Sequence, residues 1–102
     1  MATRMDLQLK LEDILGSENV YFQPPESIKL KYPAIIYSHA GYKKKNADNR
    51  GYLVFKRYSV TLVYREPEKE DVIMKLLELP DCNHDTHYVA DELNHDVFSL
   101  YF

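Results

Sequence analysis

A chain of 102 residues sets the scale of one domain around one core. Its composition, 45% hydrophobic against 28% charged with a net charge of -3, is that of a globular protein and excludes both a disordered tail and a strongly basic nucleic-acid binder. The one cysteine, Cys82, excludes an internal disulfide and suits a reducing cytoplasm, and no apolar run approaches the roughly 20 residues of a membrane span. The opening Met-Ala-Thr-Arg lacks the apolar core of a secretory signal, so the chain is expected to be cytosolic where it is made.

The first predicted element is a helix from about Arg4 to Leu15, with Thr3 as cap and Gly16 as a left-handed stop. Leu7, Leu11, Ile14 and Leu15 give the stripe of a core-facing helix. Met5 and Leu9 lie roughly opposite that stripe. They are either tolerated exposed residues or a second face buried against a neighbouring subunit. Val20–Phe22 is a short strand, stopped by Pro24-Pro25, because proline lacks the amide donor that a strand ladder needs. A second strand is expected over Ala34–His39, where Ile35-Ile36-Tyr37 suits a half-buried sheet. Residues 40–50, with Gly41 and Lys43-Lys44-Lys45, read as a polar loop.

The longest strand is expected from Gly51 to about Arg65. Its even positions (Tyr52, Val54, Tyr58, Val60, Leu62, Tyr64) are apolar except for Lys56, which places one sheet face on helices. A second helix follows Pro67, with Glu68, Glu70 and Asp71 at its positive end and Val72, Ile73, Leu76 and Leu77 buried. Strands over His84–Ala90 and Val97–Phe102, joined through an acidic turn at 91–94, complete the chain. The predicted fold class is α+β, a single domain over residues 1–102: an antiparallel sheet of four to five strands with two helices packed on one face.

Charge is segregated along the chain. Lys29, Lys31, Lys43, Lys44, Lys45, Arg50, Lys56 and Arg57 face a single acid, Asp48, between residues 29 and 57, whereas residues 58–102 carry ten acids against three basic residues. Ordinary solvated surface explains any single lysine. The pattern as a whole suits a basic edge of one subunit meeting an acidic edge of the next, or, less well, a lysine loop facing phosphate.

No catalytic centre is expected. Cys82, His84, His87, His95 and Asp96 invite a metal reading, but three residues along a regular strand put His84 and His87 on opposite faces, and only a turn or bulge would bring them together. Cys82 has no orienting group for nucleophilic work, and the chain has no Gly-rich phosphate loop. Neither a cofactor nor a metal is expected.

Two phrases frame the chain, Asn19-Val20-Tyr21-Phe22-Gln23-Pro24-Pro25-Glu26 and Leu93-Asn94-His95-Asp96-Val97-Phe98-Ser99-Leu100-Tyr101-Phe102. With Tyr32-Pro33-Ala34-Ile35, the Ala47-Asp48-Asn49 loop and the order of helices and strands, they resemble small neck proteins of long-tailed bacteriophages, the tail-terminator or tail-completion family. The resemblance implies a virion structural protein with no enzymatic activity, assembled in the host bacterial cytoplasm. It implies a ring, typically a hexamer, that caps the tail tube, joins it to the head connector and lets genomic DNA pass through its bore. On that reading Lys43, Lys44, Lys45 and Arg50 line the lumen or a subunit contact, and Met5, Leu9, Arg57, Tyr101 and Phe102 are candidate interface residues. The partners implied are further copies of the chain, the tail-tube protein and the head-closure protein, with no membrane. A head-closure or adaptor protein of the same neck, or a small nucleic-acid-binding regulator with aromatics on an open sheet face, are the alternatives.

Overall fold

A computed structural model describes residues 4–24, 29, 31–46, 52–65, 70–79 and 81–102, with the backbone alone for 43–46 and 52–53. The elements are α1 (Arg4–Leu15), β1 (Val20–Phe22), β2 (Ala34–Asn46), β3 (Tyr52–Tyr64), α2 (Glu70–Leu77), β4 (Asn83–Ala90) and β5 (Leu93–Tyr101). The fold is α+β, as its sequence indicates. The five strands run in the spatial order β1-β2-β3-β5-β4 and the sheet is open. Every pairing is antiparallel except β1 with β2, which is parallel and makes the sheet mixed. The long connection after β1 returns the chain to start β2 in the same direction, where a hairpin would have reversed it.

Local chemistry explains the element ends. Gly16, at φ 78°, closes α1 by donating its N–H to the Glu12 carbonyl at 2.8 Å. Asp91 and Glu92 both have positive φ, the backbone of a two-residue hairpin whose twist matches the flanking strands. Thus β5 begins directly at Leu93, four residues before the expected Val97. The expected cap Thr3 and the expected helix start after Pro67 lie outside the described residues.

One face of the sheet holds the core. The register aligns Val20 with Ile35, Tyr37 with Val60, and Val60 with Phe98, so inward positions stay in phase across four strands. Tyr58, Val60, Leu62 and Tyr64 are all buried, as the alternation predicts, whereas Val54, which the same alternation places on the core face, is exposed because the flanking strands stop short of it. They form one cluster with Leu7, Leu11 and Ile14 of α1, with Val72 and Leu76 of α2, and with Phe98 and Leu100. Non-directional apolar burial of this kind is the main force holding the domain together. The polar end of Tyr37 inside that cluster is satisfied by α1: its hydroxyl donates to Gln8 Oε1 and accepts from the Arg4 guanidinium at 3.1 Å.

Candidate functional site

Two features rise above the packed body: an arm at one end of the sheet and a buried carboxylate near the other. The arm arises because β2 and β3 are longer than the sheet they belong to. β5 pairs with β3 only over Arg57–Tyr64, and β1 pairs with β2 only over Ile35–Tyr37. Beyond those limits, among the described residues, Gly41–Asn46 and Tyr52–Lys56 pair with each other, apart from the Lys56 carbonyl, which also meets the Phe102 N–H. The register shifts between His39 and Gly41, where Gly41 adopts φ 144°. A side chain is disfavoured at that φ, so glycine is the residue that lets the ladder resume past the bulge.

This geometry corrects the expected loop over 40–50, because β2 continues through Lys43, Lys44 and Lys45, opposite Phe55, Val54 and Leu53. Arg50 lies outside the described residues. On the arm Tyr42 is 68% exposed, Val54 42% and Phe55 39%. Val54 and Phe55 are consecutive strand residues, so apolar surface is uncovered on both faces of the ribbon. The arm strands, Gly41–Asn46 and Tyr52–Arg57, carry five basic residues and no acid.

The other candidate contact residues fall in two places. Arg57 is paired with Tyr101 at the root of the arm, and the Phe102 N–H donates to the Lys56 carbonyl at 2.9 Å. Phe102 packs on the margin of the core, so part of its surface is already used within the chain. Met5 and Leu9 form a separate exposed pair one turn apart on α1.

The buried carboxylate is Asp96, 3% exposed on β5. Its position is in phase with Phe98 and Leu100, so it points inward, where an unpartnered charge would be very costly. Three donors meet it. The Tyr64 hydroxyl donates to Oδ2 at 2.7 Å, and His84 Nε2 and His87 Nδ1 each lie 2.9 Å from Oδ1. An ionised carboxylate only accepts, which makes both imidazole nitrogens donors and sets their tautomers. Burial pushes the Asp96 carboxyl up, but the hydrogen bonds from Tyr64, His84 and His87 outweigh it and hold the group below its usual range. Burial, then the bond to Asp96, pushes the Tyr64 hydroxyl up to about 12.

His84 and His87 therefore do not lie on opposite faces, as strict alternation required. The register shifts between His84 and Thr86, and Asp85 is the extra residue that brings both imidazoles into phase with Asp96. Asp85 accepts a hydrogen bond from Ser99 Oγ at 3.2 Å. A signal for this cluster was present in the sequence: a carboxylate at an inward position of a strand demands buried donors nearby.

The cluster ties β3, β4 and β5 together through side chains. Among the described residues, no set of three or more His, Cys, Asp or Glu side chains is disposed to hold a metal ion. Cys82 is half-buried, and burial followed by the charge of Asp85 raises its thiol to about 11, so it stays protonated near neutrality. Tyr58 and Tyr64 are core residues and offer no platform for bases. No helix among the described residues is long and apolar enough to cross a membrane. Compared with protein-family models and with curated protein sequences, the chain finds a match in neither.

Proposed function

We infer that this chain is a structural virion protein of the phage neck, a ring-forming tail terminator that caps the tail tube and joins it to the head connector, with DNA passing through the bore. The projecting arm is the observation that carries this reading. A lone two-stranded ribbon is marginal in water, and this one leaves Tyr42, Val54 and Phe55 uncovered. Such a ribbon gains its stability from a surface on another molecule. The body, by contrast, supplies a rigid sheet that can hold the arm in a fixed direction from one subunit to the next. The residues brought together around Asp96 serve that rigidity.

The test is the mass of the purified chain in solution, alone and with assembled tail tube. A closed oligomer that binds the end of the tube and stops its growth is the expected result. A chain that stays monomeric at all concentrations, and binds neither tube nor connector, overturns the reading. Binding to the portal side before any tail arrives moves the protein to the head-closure position of the same neck.

A further inference from the structure

The arm's own occupant can be identified from the charge and topology of the same molecule. The strand register puts the arm and the β4–β5 turn at opposite ends of the sheet: Tyr52 begins β3 in the arm, while Tyr64 at its other end pairs with Asn94 beside the turn. The molecule is 51 Å along its longest axis. Residues 81–92, which comprise β4 and the turn, contain Asp81, Asp85, Asp91 and Glu92 and no lysine or arginine. The arm strands carry no acid, while the β4 edge with its turn carries no lysine or arginine, so the two are complementary in sign, and the arm of one chain cannot reach its own turn. Two copies can.

The acidic end also matches the arm in kind. Among the described residues, β4 is the edge strand of the sheet and pairs with β5 alone. Its residues 83–89 are all exposed, and they include the apolar pair Tyr88 and Val89 next to the acidic turn. An edge of this sort is a template for another strand. The arm offers such strands, since among the described residues β2 beyond Gly41 and β3 before Arg57 pair only with one another and with the Phe102 N–H.

We propose that the arm of one copy lies along the outer edge of β4 of the next copy, with Tyr42, Val54 and Phe55 against Tyr88 and Val89, and the arm's basic residues against Asp85, Asp91 and Glu92. This inference rests on the ring reading and names the contact from which the ring is made. The contact is head-to-tail, so it propagates in one rotational sense and closes when the rotation per copy divides the circle. Main-chain pairing fixes the register, and the charges select the partner end over a like-charged arm.

Charge reversal tests it in both directions. Reversing the arm (Lys43→Glu, Lys44→Glu, Lys45→Glu) should weaken self-association by roughly tenfold or more, and Asp91→Lys with Glu92→Lys should do the same. A single chain carrying all five substitutions, or an equal mixture of the two variants, should regain oligomers, because every arm again meets an end of opposite sign. As a second measurement independent of affinity, Tyr42→Cys and Val89→Cys in one chain with Cys82→Ser should give intermolecular disulfides on mild oxidation. If the unaltered protein forms rings but neither reversal weakens them, or the combined chain is not rescued and the cysteines do not cross-link, this contact is wrong and the ring reading stands. If the unaltered protein does not associate even on tail tube, both fall.

Discussion

β2 and β3 run through two different environments, and the same pair of strands behaves differently in each. In the body, Tyr37, Tyr58, Val60 and Leu62 lie within a cluster closed by two helices and by Phe98 and Leu100. In the arm, a few residues further along the same backbones, Tyr42, Val54 and Phe55 stand in solvent. The ladder is continuous across the boundary apart from the bulge at Gly41. Hydrogen bonding between strands is therefore not what separates the covered region from the exposed one. The separation lies in what covers the side chains: β5 and β1 flank the body, and neither reaches along the arm.

The contrast can be broken first at the core. Phe98→Ala removes a fully buried ring that packs edge-on to His84, and should cost about 3–5 kcal/mol in chemical denaturation. A loss under 1 kcal/mol would show that the body is no better packed than the arm. Next comes Asp96→Ala, which leaves Tyr64 without its acceptor and frees both imidazoles, for about 3 kcal/mol at neutral pH.

The same carboxylate sets the pH limits of the body. Because folding lowers the Asp96 value from 3.8, its contribution is present above that pH and is lost as pH falls through the lower folded value. Because folding raises Tyr64 from 10.0 to about 12, the unfolded chain ionises first, so stability declines as pH rises across that window. Urea midpoints of the parent and Asp96→Ala across pH should converge on the acid side. Parallel curves would remove Asp96 from the account.

Smaller effects mark the boundary and the arm. A Cβ at Gly41 would meet no atom within 4 Å, so Gly41→Ala tests the φ of 144° alone and should cost about 1 kcal/mol. Phe55→Ser should change the stability of the isolated chain by about 0.5 kcal/mol or less while weakening its association. A large loss of stability from Phe55→Ser would mean that the arm belongs to the body after all.

How much of this was legible in the sequence follows the same division. Local signals placed α1 and β1 at their observed bounds and gave the alternation of β3, because caps, breakers and period-two patterning act over a few residues. Three consecutive lysines concealed the second half of β2. Their weak strand preference is overridden by pairing with the Leu53–Phe55 stretch, a partner outside the reach of local signals. Asn94, His95 and Asp96 concealed the start of β5 for the same kind of reason, since Asp96 is acceptable inside only through Tyr64, His84 and His87 on two other strands. The site residues named from charge and aromatic content fell partly together, at the arm and its root. Local sequence does not mark Tyr42 and Phe55 as exposed and places Val54 on the core face, because the exposure of all three depends on where β1 and β5 stop.

The one-residue surplus at Asp85 has an effect beyond steering two imidazoles. An irregular stretch on a rim is a poorer template for a straight neighbour, so regular main-chain pairing at the β4 edge is favoured over Thr86–Ala90, with Asp85 left to meet charge. Excising that residue would leave His84 and His87 aimed as before but would straighten the rim. The edge would then run regularly along its whole length and offer a longer template for side-by-side addition.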